Sequence, residues 1–491
     1  MKSNPALSQD TICAVSTPAG VGGIAVIRVS GPDAIAIVGK LWRGSPLEQT
    51  PGYTARYGSI IDPEREGEML DQAIITLFRA PASFTGEDVV EVSVHGSRYI
   101  QRRLLQLLIG QGARLADPGE FTRRAFANGK LDLTQAEAVA DVIASNSRAA
   151  HRLAAQQLKG NFSQRIEQLK EQLLELVSLL ELELDFSEEE VEFASRDRLR
   201  QLAGEIHTEV TRLEKSFAAG AAIKDGIPVA IIGPTNAGKS SLLNQLLGED
   251  RAIVSDIHGT TRDTIEDTLE IGDYLFRFID TAGLRDTADP IEALGIDRSR
   301  QAISRAAMVI AVTDITRPNS FRPGTNDFNA PGLLPAELLN TSTPTILLLN
   351  KADLLDTPVK LDGDHEDIAA TLHATTAIDS ETVNLIAVIP YSTKIETGRQ
   401  TLLDTLIEQA RALTGSADED TIMVTNLRHA QALRAAAQTT AATLDALSAN
   451  LPGDLIAQDL RATLHHLSTI TGTITTPDIL TTIFSHFCIG K

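Results

Sequence analysis

The period of apolar and polar positions changes along the chain, and each change marks a different kind of structure. Between residues 10 and 130, short apolar runs alternate with Gly and Pro turn signals. Gly22–Ser30 reads as a Gly-rich turn entering a strand, Ala73–Phe78 and Val89–Val94 as two further strands, and Ile100–Leu108 as a helix. That mixture predicts an α+β domain. Arg28 and Glu91 fall inside strands, and pattern alone favours the solvent-facing side of an edge strand for both. From about Thr134 the period becomes helical. Ala136, Val139, Ala140 and Ile143 share one face; Ile166, Leu169, Leu173, Val177 and Leu180 share another. No Pro occurs between Gly119 and Gly226, which predicts two or three long helices, and the acidic run Asp185 to Glu192 reads as a solvated face or turn. The helical texture returns from about Asn426 to Phe487.

Between these helical stretches, residues 226–414 alternate strand and helix signals as a doubly wound parallel sheet does. Strands are expected at Val229–Ile232, Tyr274–Ile279, Met308–Thr313 and Thr345–Leu349. The segments Thr316–Thr343 and Thr357–Val388 are long for loops and read as surface insertions. The expected organisation is multidomain: an α+β domain at 1–130, an all-α helical domain at 131–225 and 415–491, and an inserted α/β doubly wound domain at 226–414.

Length and composition agree. A chain of 491 residues is too long for one core, and 43% hydrophobic with 22% charged residues is ordinary for a soluble globular protein. The net charge of −21 argues against a protein that coats nucleic acid by itself. Residues 1–130 hold 14 Lys and Arg against 13 Asp and Glu, so the acidity belongs to the rest. Two cysteines, Cys13 and Cys488, lie at opposite ends of the sequence and give no disulfide framework or metal spacing. No signal-peptide core or 18-residue apolar stretch occurs, and the ending Cys488-Ile489-Gly490-Lys491 departs from a prenylation box at Gly490 and Lys491. A cytoplasmic protein without a membrane partner is expected.

The chemistry centres on Gly233-Pro234-Thr235-Asn236-Ala237-Gly238-Lys239-Ser240, set between a strand and a helix. Backbone N–H groups and a helix N-terminus make an anion cradle, Lys239 reaches phosphates and the Ser240 hydroxyl suits Mg²⁺. Gly259-Thr260-Thr261-Arg262-Asp263 offers a second Mg²⁺ hydroxyl, and Asp280-Thr281-Ala282-Gly283 a carboxylate and a γ-phosphate sensor. In Asn350-Lys351-Ala352-Asp353 the carboxylate can accept from the N1–H and N2–H₂ of guanine, which adenine does not present together. Tyr391-Ser392-Thr393-Lys394 stands where a base-backing loop belongs. Five motifs in order predict a GTPase domain. Leu284 occupies the position of a water-orienting Gln and cannot orient water, so another group must do so or hydrolysis is slow. Asn236 is either a ligand for a monovalent cation beside the phosphates or a residue that simply tolerates the loop.

Both ends of the chain carry further motifs. Asp10-Thr11-Ile12, Gly22-Gly23 with Arg28, Ser83-Phe84-Thr85-Gly86-Glu87-Asp88, His95-Gly96, Pro118 to Phe126, Lys130 to Ala138 and Ile483 to Lys491 resemble the MnmE (TrmE) family of tRNA modification GTPases. The resemblance covers nearly the whole chain. It implies an N-terminal domain that forms a homodimer and binds a formyl- or methylene-tetrahydrofolate through Arg28, Glu91, Lys130 and Lys491. The implied GTP-binding set is Asn236, Ala237, Gly238, Lys239, Ser240, Ser241, Ser255, Asp256, Ile257, His258, Gly259, Thr260, Thr261, Asp280, Thr281, Ala282, Gly283, Asn350, Lys351, Asp353, Ser392, Thr393 and Lys394. Within it Ser240 and Thr261 would hold Mg²⁺, and Asn236, Ser255, Ile257 and Thr260 would hold K⁺. Catalysis would fall to Lys239 and to Glu292, which would orient water in place of a residue at 284.

The resemblance further implies potassium-stimulated hydrolysis on G-domain dimerisation and a flavoprotein partner, MnmG (GidA), in a heterotetramer. The pair would place a carboxymethylaminomethyl-type group on C5 of the wobble uridine of certain tRNAs. Ser255, Thr393 and the two long segments depart from the family pattern. Cys488 is open to two readings, a nucleophile or a small side chain beside the folate pocket. A ribosome-assembly GTPase of the Era or EngA (Der) type is the alternative; it lacks this N-terminal domain and ending. A dynamin-like membrane remodeller would need a basic amphipathic face or lipid anchor, and neither is present in the sequence.

Overall fold

The computed structural model describes residues 10–185, 196–248, 267–279, 300–316, 341–354, 383–395, 397–415, 421–485, 487 and 490. The chain packs as two compact units, one of residues 1–144, 154–214 and 427–491, the other of 145–153 and 215–426.

The first unit opens with strands β1 (Ile12–Val15), β2 (Gly22–Ser30), β3 (Trp42–Arg43), β4 (Thr54–Asp62), β5 (Glu68–Phe78), β6 (Val89–Gly96) and β7 (Arg114–Leu115). They form one sheet in the order β3-β4-β5-β6-β2-β1-β7, antiparallel except where β7 joins β1. Alternate residues such as Ile27, Val29, Val90 and Val92 share a core with Ile37 and Leu41 of helix α1 (Ala34–Leu41) and Leu104 and Leu108 of α2 (Arg98–Gly110). The other alternation carries Arg28 and Glu91. These two residues do not sit on an edge strand: β2 and β6 are internal neighbours, and Arg28 and Glu91 are direct cross-strand partners. Each neutralises the other, which is why inner strands accept them.

Among the described residues of 120–225 there are six helices, rather than two or three: α3 (Glu120–Ala127), α4 (Leu133–Ala144), α5 (Arg148–Leu158), α6 (Asn161–Asp185), α7 (Arg196–Lys215) and α8 (Phe217–Asp225). Gly129 and Gly160, at φ 67° and 90°, follow the ends of α3 and α5, so glycine ends these helices where no Pro is available to do so. In α6 the expected face, Ile166, Leu169, Leu173, Val177 and Leu180, is buried. In α4 the expected face is not the buried one. Burial surrounds its first half at Leu133, Thr134, Ala136, Glu137 and Ala138, while Ile143 is 48% exposed. Leu133 and Ala136 pack there with Phe484.

The second unit holds β8 (Ile227–Ile232), α9 (Lys239–Leu247), β9 (Asp267–Ile271), β10 (Tyr274–Ile279), β11 (Met308–Asp314), β12 (Thr341–Asn350), β13 (Val383–Pro390) and α10 (Arg399–Thr414). The sheet runs β13-β12-β11-β8-β10-β9, all parallel except the edge strand β9, which pairs antiparallel with β10. Two expectations need correction. β9 has no counterpart among the expected strands, and β13 occupies the end of the stretch read as an insertion over 357–388. Its apolar run Leu385–Ile389 suits a fully buried strand but follows directly on a polar stretch that masks its start. Of the rest of those long segments, residues 317–340 and 355–382 lie outside the described residues. The first unit resumes with α11 (Leu427–Ser448), α12 (Gly453–Thr471) and α13 (Pro477–Ser485), α12 packing on both α6 and α11.

Candidate nucleotide and one-carbon sites

The chain leaves β8 and continues to β10 on one side of it, then to β11 on the other, so the strand order reverses beside β8. The crevice at the carboxyl ends of strands at such a reversal is where doubly wound sheets bind ligands. The Gly233–Ser240 loop opens there. Gly233 and Gly238 have φ of 143° and 103°; a side-chain carbon on Gly233 would collide with the Val312 carbonyl, and one on Gly238 with the Asn350 amide nitrogen. Both glycines are therefore demanded by the fit of loop to sheet. Asn236 also has positive φ, 62°, a conformation Asn tolerates better than most residues. Lys239 opens α9, and its Nζ donates to the carbonyls of Gly233 and Pro234 at 2.7 and 2.8 Å. Burial lowers its pKa, so an anion in the loop would restore what desolvation takes from the ammonium.

One residue of β12 meets this loop, and the segment after it makes further bonds of its own. The buried Asn350 donates from Nδ2 to the Ala237 carbonyl at 2.7 Å. Lys351 donates to Asp314 at 2.6 Å, at the end of β11. Burial raises the Asp314 carboxyl, but Lys351 and Thr316 outweigh it and the net shift is downward. Ser392, itself buried, donates from Oγ to Asp353 Oδ1 at 2.7 Å. Asn350, Lys351, Asp353 and Ser392 thus form one constellation; Thr393 is half-buried and Lys394 exposed beside it. Sequence reasoning missed Asp314, whose only signal was its place as the first acid after an apolar run. Ser240 and Ser241 stand on the first turn of α9. Ser255, Asp256, Ile257, His258, Gly259, Thr260, Thr261, Asp280, Thr281, Ala282, Gly283 and Glu292 lie outside the described residues, as do Cys488 and Lys491.

In the first unit the Arg28 guanidinium makes two bonds to Glu91 Oε1, 3.0 Å from Nε and 2.8 Å from Nη2. It also lies 5.5 and 5.6 Å from the ring centres of Phe84 and Phe121. Lys130 donates to the Pro81 carbonyl at 3.1 Å, and its stem runs close to Gly86. Arg28, Glu91 and Lys130 are therefore gathered around one loop, residues 81–88. Behind it the fully buried Arg124 bonds Asp10, Glu87 and Glu120, and Glu87 accepts from Ser30 at 2.7 Å. This network, absent from the sequence reading, braces the loop. Gly490 reaches β1, where its carbonyl accepts from Ser16 Oγ at 3.1 Å. Cys13 is buried, and desolvation pushes its thiol up to about 11 despite Arg114, which leaves it an inert core residue.

Two family models match the chain: one described as GTP-binding protein TrmE N-terminus over residues 11–130, the other as MnmE helical domain over 133–488. A curated relative from Parabacteroides distasonis, named tRNA modification GTPase MnmE, is 50% identical over 486 residues, covering 98% of this chain and 100% of the relative. One of the same name from Bacteroides fragilis is 46% identical over 489 residues, covering 99% and 100%. Among solved structures, the G domain of the T. maritima FeoB iron transporter is 23% identical and covers 38% of this chain and 98% of that one, at a TM-score of 0.25.

Proposed function

Since the chain belongs to the MnmE (TrmE) family, we propose that it hydrolyses GTP to drive a complex that modifies C5 of the wobble uridine in tRNA. The partner is the flavoprotein MnmG (GidA), joined in a heterotetramer, and the added group is of the carboxymethylaminomethyl type. The observation that carries the GTP reading is the bond from Ser392 Oγ to Asp353, which fixes a carboxylate beside a loop built for phosphate. So held, Asp353 can accept from both N1–H and N2–H₂ of guanine, while the Asn350 bond to Ala237 keeps base and phosphate sites in register. Lys239 places a positive charge against the terminal phosphates.

Mg²⁺ on Ser240 and Thr261, and K⁺ on Asn236, Ser255, Ile257 and Thr260, would supply further positive charge to the phosphate oxygens. The donors fit: hydroxyl, amide and carbonyl oxygens suit these hard cations, and Asn236 already holds a left-handed backbone conformation within the loop. Glu292 would orient water, the task Leu284 cannot perform. In the first unit, Arg28, Glu91 and Lys130, with Lys491, would hold a tetrahydrofolate one-carbon carrier. A guanidinium–carboxylate pair beside an aromatic ring matches a flat polar pterin, and Lys130 an anionic glutamate tail. Dimerisation through the N-terminal domain would supply the second copy.

The test is GTP hydrolysis by the purified full chain in potassium and in sodium buffer at two protein concentrations. Strong stimulation by potassium, greater at the higher concentration, is expected. Equal rates in both salts would remove the cation mechanism and return the Era-type reading to contention.

A further inference from the structure

We infer that Tyr391 is a positioning residue for guanine recognition, tying the base-reading loop to the phosphate-binding helix through Gln245. The inference rests on the GTP-binding reading above. Tyr391 follows β13 and is fully buried. Its N–H donates to the Leu349 carbonyl at 2.9 Å, and its own carbonyl accepts from Ala352 N–H at 3.0 Å. The backbone of Tyr391 is thereby laced to the segment that carries Asn350 and Asp353. Its hydroxyl reaches the other way and donates to Gln245 Oε1 on α9 at 2.8 Å. The next residue is Ser392, which orients Asp353. One buried side chain thus links the helix that begins with Lys239 to the carboxylate that reads the base.

The chemistry of the pair favours positioning over filling space. Gln245 lies on a helix whose Leu242, Leu243, Leu246 and Leu247 are buried, and its Nε2 is buried with no hydrogen-bond partner among the described residues. An amide kept there at that cost has a use for its oxygen, and the phenol is the group bonded to it. A Phe at 391 would fill the same volume without making the link.

Affinities of the full chain for GDP and IDP, measured by calorimetry, test this. Hypoxanthine lacks the 2-amino group, so IDP can make only one of the two bonds to Asp353 and probes how well that carboxylate is aimed. Y391F is expected to weaken GDP binding roughly 2- to 10-fold, the effect of one neutral hydrogen bond. IDP should lose less, so the preference for GDP shrinks. Q245L should do the same, the double variant should be no worse than either single, and Q245E, which keeps an acceptor and discards the unpaired donor, should retain the preference. A general loss of stability would lower both affinities and leave their ratio unchanged. A wild-type GDP-to-IDP ratio in both Y391F and Q245L would overturn the inference. Failure of the unsubstituted chain to bind GDP would overturn the nucleotide reading itself.

Discussion

At Gly238 the backbone passes so close to the Asn350 amide that no side chain fits, and its φ of 103° disfavours one in any case. Gly238→Ala should displace the loop at a cost of roughly 1–3 kcal/mol, lowering GTP affinity about tenfold or more, while circular dichroism stays native. Unchanged affinity would mean that the loop is not the phosphate site. Asp353 permits a sharper test, because its role is chemical. Asp353→Asn offers guanine a donor where it needs an acceptor and should weaken GTP binding by about 3 kcal/mol. Xanthine bears a carbonyl where guanine bears the amino group, so the variant should gain hydrolysis of XTP. A D353N enzyme that still prefers GTP would remove Asp353 from base recognition. The glycine–lysine loop and the Asn-Lys-Ala-Asp segment were legible in the sequence because each is a run of consecutive residues, although the bond that joins them, Asn350 to Ala237, spans 113 positions. Tyr391 and Gln245 were not: they stand 146 positions apart, and only the sheet order brings them together.

Elements were legible wherever one period ran uninterrupted, as along the buried face of α6, and failed where a distant partner decided burial. In α4 the polar Glu137 is buried while Ile143 is exposed, because Glu137 is claimed by Arg428 and His429 at the start of α11, nearly 300 positions away. Burial alone would raise the Glu137 carboxyl, but His429 and Arg428 overcome it and hold the pKa at about 2, against an ordinary 4.5. A carboxyl depressed on folding stabilises the native state above its unfolded pKa and loses that contribution as pH falls through the folded one. The clamp should therefore contribute fully at neutral pH and fade between about 4.5 and 2. Glu137→Gln leaves the Arg428 guanidinium facing a neutral amide and should cost about 3 kcal/mol at pH 7. Denaturant melts at pH 7 and pH 3 check it: the gap between variant and parent should narrow at pH 3. A gap that is the same at both values would mean that packing, and not charge, holds α4 to α11. The same limit explains the edge-strand reading of Arg28 and Glu91, since strand pairing 63 positions apart cannot be seen in a local pattern.

Over the whole molecule the charge is lopsided. Residues 1–130 carry a net +1 and the helical and nucleotide-binding sequence −22, so all of the acidity lies in the latter. Affinity for RNA comes largely from basic groups that displace counterions from phosphates, and the logarithm of binding then falls steeply with that of salt concentration. A chain with this net charge offers tRNA no long-range attraction. If it acts on tRNA, as the names of its relatives state of them, a basic partner has to supply the phosphate contacts. Alone, it should bind tRNA weakly, with a shallow salt dependence in filter binding between about 50 and 200 mM salt, a range over which strong RNA binders lose roughly a thousandfold or more. Added flavoprotein should raise both the affinity and the slope. Tight, steeply salt-dependent binding by the isolated chain would instead locate the RNA surface on this protein, and the small positive balance of residues 1–130 makes that domain the place where it would have to lie.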